Sequence, residues 1–239
     1  MNFCRNLARS KPRPSLAARA VLESVGYSPE QVVELAWVTA SVSFCNRVST
    51  LLAVPPEFEM ERTAPKLNLW NSLKSFLPGG SQGKPPPLDY PAPTAAGMLG
   101  ELVAVLDGSP AAAVLEGTIQ AAFATSALPR RSVCLMFAVI AHTLGSSFCA
   151  KAAAERLAAE GFPRSTLDEV LSTLGSPALD DVESRLLPWA RDTVWLPEQP
   201  KRIQERTRPL QALGDRTLLE AVGVAALANS CVRLAMLLE

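Results

Sequence analysis

Histidine is almost absent from this chain, since His142 is its single copy among 239 residues. A metal site built from several imidazoles is therefore excluded. The five cysteines form no pair at the spacing of a metal site or a redox motif, and they stand at Cys4, Cys45, Cys134, Cys149 and Cys231. An odd number of scattered thiols favours reduced cysteines and a cytoplasmic location, and neither a metal nor another cofactor is expected.

An excess of one charge and a long apolar run are also missing. Basic and acidic residues number 23 each, so the net charge is zero. No electrostatic field is therefore expected that would gather nucleic acid. The best candidate for a membrane segment, 133–141, is stopped by His142 and by the break at Gly145. A bilayer-spanning helix needs about 20 apolar residues, so no membrane partner is expected.

The alternation of apolar and polar residues that marks a strand is missing, whereas Ala and Leu dominate. Both have high helix propensity, so an all-α fold is predicted. The helices predicted for the second half cover 98–106, 109–127, 128–144, 147–161, 163–177, 178–195 and a closing region at 200–238. Ser146 or Ser147 is the predicted N-cap of the helix that Gly161 closes. Ser165 or Thr166 is predicted to cap the next helix.

An internal repeat joins the two ends of the chain at a constant offset (233 − 47 = 186). EQVVELAWVTASVSFCNRVSTLL (30–52) lies over RTLLEAVGVAALANSCVRLAMLL (216–238). The two stretches are predicted to be equivalent helices that hold Arg47 and Arg233 in matching environments. We interpret both arginines as structural residues that bond a helix end or a carboxylate of a neighbouring subunit. Ser28 is the predicted N-cap of the first copy.

The repeat divides the chain into three parts. Residues 1–57 are predicted to be a partial repeat that holds only the closing helices, 58–97 a Pro- and Gly-rich linker, and 98–239 a complete helical unit. Within the linker, the helical spacing of the apolar residues in 69–77 indicates either a short packed helix or a docking peptide. The incomplete first unit suggests either a shortened start or a second unit that carries the whole function.

The first residues allow a further interpretation. They are rich in Arg and Ser and hold no acidic residue before Glu23, as in an organelle transit peptide. The match of 3–14 to 189–200 at the same offset favours an ordinary folded helix instead. Because the helices at 15–26 and 30–53 lack the rest of their unit, their apolar faces are expected to dock on the second unit or on another chain.

The order of features in the second unit is distinctive. A long apolar helix opens with LPRR (128–131), and after a short break a helix follows with Cys149 in its first turn and AAEGF (158–162) at its end. This order resembles the alkylhydroperoxidase-D-like, or carboxymuconolactone decarboxylase, superfamily. FCNRVSTLLAV (44–54) is similar to the C-terminal helix of its peroxidase-related members. The resemblance implies an alkylhydroperoxidase-D-like helical bundle and a symmetric homo-oligomer.

The redox motif of that superfamily is incomplete in this chain. Its redox-active members carry a Glu on the long helix, then a Cys-x-x-Cys pair, then a His four residues later. If Cys149 matches the second cysteine, Ser146 stands at the first. Ala153 then takes the place of the His and Cys134 that of the Glu. The dithiol chemistry of the family therefore has only one of its four groups here.

A candidate thiol site remains around Cys149. The start of a helix favours a thiolate, so we expect a lowered pKa for Cys149. In this hypothesis a small hydroperoxide oxidises Cys149, His142 acts as general base or cationic neighbour, and Cys134 resolves the sulfenic acid as a disulfide. Ser146, one turn away, donates a hydrogen bond to the thiolate. The alternative is that each residue only packs in a helical core.

Two functions of different classes are therefore left open. The first is a peroxidase-related, thiol-based oxidoreductase that acts through the single Cys149. The second is a helical assembly or accessory protein with no activity, in which the ancestral site has eroded. Decarboxylase-type proton chemistry is a weaker third option, because acid–base groups are scarce at the candidate site.

Overall fold

The structure, a computed structural model, describes residues 2–13, 16–54, 99–124, 127–196 and 198–239. Helices account for nearly all of the regular structure in these ranges, and no strand occurs there, which confirms the predicted all-α class. The α-helices are α1 (Asn2–Ala8), α2 (Leu16–Ser24), α3 (Pro29–Leu51), α4 (Gly100–Ala104), α5 (Pro110–Phe123), α6 (Arg130–Leu144), α7 (Ser147–Ala159), α8 (Arg164–Thr173), α9 (Asp181–Asp192), α10 (Pro200–Thr207) and α11 (Asp215–Ala235). Short 3-10 segments follow α9 and α10, at Thr193–Trp195 and Arg208–Leu213.

The ends of α7 and α8 follow local chemistry. Ser146 is the N-cap of α7, as predicted, and its Oγ accepts the backbone N–H of Cys149 at 3.2 Å. Gly161 follows α7 with φ +80°, a left-handed conformation that glycine adopts without strain. The prediction of Ser165 or Thr166 as the cap of α8 was wrong. That helix begins at Arg164, because the carbonyl of Pro163 already accepts the first intrahelical bond.

The core is built around α6 and α11. Every residue of α6 from Ser132 to Ala141 is buried, and α6 packs on α7, α9 and α11. Contrary to the sequence-based expectation, one of the described helices, α11, is long and apolar enough to cross a membrane by length and composition. Its most apolar window is 83 % buried inside the fold, as in a core helix. The length and composition of α11 are therefore weak evidence that it spans a membrane.

The structure agrees with the repeat at α3 and α11. Each copy is a long helix, and the helices begin at Pro29 and Asp215, at the offset of the sequence match. Ser28 caps α3 through a capping box with Gln31. The two helices pack directly against each other, so the partial first unit docks on the second unit of the same chain.

The N-terminal helices belong to this folded body. Phe3 and Leu7 of α1 are buried, and both α1 and α2 pack on α3. This arrangement favours the interpretation of the first residues as folded helix. The linker predicted at 58–97, with its apolar stretch 69–77, lies outside the described residues. The three-part division of the chain therefore stays a prediction.

Candidate functional site

Helices α6 and α7 form an antiparallel hairpin, with one of the two candidate cysteines near each end. Cys134 lies in the first turns of α6, where the charges of Arg156, Glu160 and Arg130 reach its thiol. Cys149 is the third residue of α7. At a rise of about 1.5 Å per residue, ten residues of α6 separate Cys134 from the hairpin turn by about 15 Å. A disulfide needs Cα atoms within about 7 Å, so this arrangement does not suit a Cys134–Cys149 bridge.

His142 lies apart from the thiols. Its side chain is exposed, whereas Cys134 and Cys149 are fully buried. The imidazole borders two open clefts, one beside the end of α8 and one beside the segment that follows α1. Cys149 lines neither cleft. The structure therefore does not bring the proposed general base and the proposed nucleophile together.

The start of α7 is already occupied by a carboxylate. Glu239 Oε1 accepts the backbone N–H of Phe148 at 2.8 Å and the hydroxyls of Ser146 and Ser147 at 3.1 Å each. A negative side chain at this position satisfies free N–H groups and offsets the helix dipole. Glu239 therefore occupies the helix start whose dipole was expected to stabilise a Cys149 thiolate.

The environment of Cys149 favours a neutral thiol. Burial raises the pKa of Cys149 to about 12, against a smaller lowering by the Ser146 hydroxyl and a further raising by the charge of Glu239. The expectation of a lowered pKa was wrong, because desolvation disfavours the charged form more than the helix start favours it. Ser146 does contact Cys149 as predicted, but it accepts the Cys149 N–H as a helix cap.

Cys231 is a neighbour of Cys149 that the sequence analysis did not place at the site. It lies on α11, fully buried, and burial raises its pKa, with a further contribution from Cys149. The repeat aligned Cys231 with Cys45, which is exposed on α3. The alignment of the repeat gave no signal of the contact between Cys231 and Cys149. This contact arises only where α11 packs on α7. The second thiol near Cys149 is thus Cys231.

An ionic network around the buried Glu183 ties the start of α6 to the start of α9. Arg131, from the LPRR motif, donates to the fully buried Glu183 from Nε at 2.9 Å and from Nη2 at 2.5 Å. Ser132 Oγ donates to the same carboxylate at 2.9 Å. Asp180 completes a capping box with Glu183, so one carboxylate serves both helices. The motif that carried the resemblance therefore has a structural role here.

Comparison of the chain with protein-family models, with curated proteins and with solved structures found no match. The described residues also hold no group of three or more His, Cys, Asp or Glu side chains that suits a metal ion. The fold and the site thus define an all-α protein with a pair of neighbouring buried thiols and a helix start that is capped by Glu239.

Proposed function

We propose that this chain is a non-catalytic helical assembly protein with an alkylhydroperoxidase-D-like bundle, in which the ancestral thiol site has become part of the core. The observation that carries this proposal is the environment of Cys149. Its thiol is fully buried, its pKa is raised, and Glu239 takes the helix start that a thiolate would need. A peroxide has no described path to the sulfur and meets a neutral thiol there.

The competing hypothesis, a thiol peroxidase, makes the opposite demand on Cys149. A peroxidatic cysteine must be a thiolate at neutral pH and must be reached by solvent. The neighbouring Cys231 offers a second thiol for such chemistry, but it is equally buried. The resemblance of the motif is the remaining support for this hypothesis.

Thiol reactivity distinguishes the two. With a maleimide or disulfide probe at pH 7, wild-type Cys149 should label at least about 100-fold more slowly than exposed Cys45, because labelling requires opening of the core. Mass spectrometry of peptides over time gives both rates in one sample. Cys149→Ser identifies the signal. Labelling of Cys149 in the native protein as fast as that of Cys45, or faster, would favour the peroxidase.

An exposed apolar surface on α3 indicates what this assembly protein binds. Val38 and Val42 are each 52 % exposed on one face of the helix. Their equivalents in the repeat, Val224 and Ala228, are buried on α11, which packs on α6 and α7. The same helical face is thus covered in one copy and open in the other.

The partner we propose for this face is a second copy of the chain. Large exposed hydrophobic residues concentrate in the α2–α3 region, at Leu16, Val21, Val25, Tyr27, Val38, Val42 and Val54. Outside it the described exceptions are Val114, Leu219 and Leu238. Exposed apolar side chains on two helices that pack together suit a symmetric interface, in which the same surface serves both subunits. Self-association through α2 and α3 therefore accounts for the exposed side chains.

Charge in this patch should separate the subunits. For Val38→Glu we expect at least a tenfold weaker dimer, because burying an unpaired carboxylate at the interface is costly. Analytical ultracentrifugation at micromolar concentration measures the change. Leu219→Glu is the matched control, since Leu219 is 57 % exposed on α11, and it should leave association unchanged. A wild-type monomer across this range would contradict the proposed interface.

A further inference from the structure

Two arginines lie buried at the packed interface of α3 and α11. Arg47 is 2 % exposed and Arg233 is 0 % exposed, and the repeat makes them equivalent residues of the two helices. Burial lowers the pKa of Arg47, and the charge of Arg233 lowers it further. The two guanidinium groups are therefore within electrostatic reach of each other inside the core.

Their hydrogen bonds go to neutral groups and repeat the same pattern. Arg47 Nη1 donates to the carbonyl and to the hydroxyl of Ser43, and Arg233 Nη1 donates to the carbonyl of Asn229 at 2.7 Å. Each acceptor is four residues earlier on the same helix, so the predicted match holds for this bond and for the burial of both side chains. Arg233 Nη2 donates to the carbonyl of Arg9 at 3.0 Å. These bonds position the side chains but bring no negative charge.

Several buried donors have no acceptor. They are Nε and Nη2 of Arg47 and Nε of Arg233, and the hydroxyl of Ser10, next to Arg9, is also buried without a partner. Among the described residues, no Asp or Glu forms an ion pair with either arginine. Nε and Nη2 of one arginine form the side of the guanidinium that binds two oxygens of a carboxylate or phosphate. The free donors therefore have the geometry of an oxyanion fork.

The charges cannot be removed by deprotonation at neutral pH. The pKa of Arg233 is lowered by burial only to about 10, and a guanidinium holds its proton strongly. A buried charge without a partner is among the most costly features of a fold, and two like charges add repulsion. Water can accept the free N–H groups, but it cannot compensate two positive charges. An anion between the two guanidinium groups would compensate these charges.

We propose that Arg47 and Arg233 form an internal binding site for one small oxyanion between α3 and α11. The ligand carries at least two oxygen acceptors, as in inorganic phosphate, sulfate or a small carboxylate. Two oxygens accept from Nε and Nη2 of Arg47, and Nε of Arg233 completes the site. Because the site joins the two copies of the repeat, its occupancy stabilises their packing.

A basic cleft that can attract anions lies beside Arg9, the residue whose carbonyl bonds Arg233. The cleft of about 790 Å³ beside the segment after α1 is bordered by Arg9, Lys11, Arg13 and His142, with Glu198 as the acidic member of its lining. An excess of basic groups raises the local concentration of anions. Arg9 connects the two features, because its carbonyl bonds Arg233. Arg9 thus links the proposed site to this basic cleft.

Thermal unfolding tests the site in the full-length protein. Added inorganic phosphate should raise the Tm of wild type in a saturable way, by about 5–10 °C at 100 times the dissociation constant. Parallel titrations with sulfate and acetate identify the preferred oxyanion, and sodium chloride at the same ionic strength corrects for screening. Arg47→Met and Arg233→Met should each lose the response. Exposed Arg185→Met is the matched control and should keep it.

A second measurement needs no variant and covers an ion that stays bound through purification. Wild-type protein is denatured after extensive dialysis, and the released phosphate and sulfate are measured by ion chromatography. About one oxyanion per chain supports the site even if the titration is already saturated. The proposal is overturned if no ion is released and the oxyanions act no differently from chloride. It is also overturned if both arginine variants respond as wild type does, because the ion then binds elsewhere.

Discussion

Replacing Glu183 by Gln should lower the free energy of unfolding by about 2–4 kcal/mol. Glu183 is fully buried and accepts hydrogen bonds from Arg131, Ser132 and the backbone N–H of Asp180. Gln keeps the shape but removes the nearer of the two carboxylates that compensate Arg131, the other being Asp180 at 3.8 Å. The cost is smaller than for a fully buried pair, because the Arg131 side chain is 38 % exposed and water can reach it.

Urea unfolding at pH 7 and 25 °C measures this change. Glu155→Gln is the matched control, because Glu155 is 68 % exposed and its pairing with Lys151 spans 3.9 Å. Exposed pairs contribute about 0–1 kcal/mol, so this variant should remain close to wild type. A Glu183→Gln protein as stable as the control variant would show that the network does not hold α6 to α9.

Alkaline pH should destabilise the protein through its buried thiols. The pKa of Cys149 is about 12 in the folded protein and about 9 for an ordinary thiol. The fold therefore favours the neutral form. The contribution of the neutral Cys149 thiol to the stability of the fold is complete below pH 9. It is lost as the pH rises towards 12, since the thiol ionises at a lower pH in the unfolded chain than in the folded protein. At pH 11 the loss attributable to Cys149 is about 3 kcal/mol, because that pH lies about two units above the pKa of an ordinary thiol.

The comparison of Cys149→Ala with wild type isolates this contribution. Urea unfolding at intervals between pH 8 and pH 11 should give a steeper decline for wild type, because the variant has no thiol to ionise at this position. The exposed Cys45→Ala should decline in parallel with wild type. If wild type and Cys149→Ala decline in parallel, Cys149 ionises equally easily in the folded and unfolded states. Cys149 would then be as easily ionised as an ordinary thiol, which contradicts its role as an unreactive core residue.

The features predicted correctly from the sequence depend on residues that are near one another in the chain. The all-α class follows from helix propensity and from the missing alternation. Ser28 was predicted as a cap, and Ser146 as one of two candidates, because a cap acts within three residues of itself. The equivalence of Arg47 and Arg233 could be predicted because identical spacing gives the same bond to the carbonyl four residues earlier.

The chemistry of the candidate site depended on partners that are distant in sequence. Glu239 caps a helix that begins about ninety residues earlier, and Arg131 pairs with Glu183 about fifty residues later. No periodic pattern indicates such pairs, because they arise only when helices pack. The sequence by itself determined the all-α class, the cap at Ser28 and the position of Cys149 in the first turn of α7. The tertiary structure decided the state of that thiol, because burial and the Glu239 carboxylate together outweigh the helix dipole.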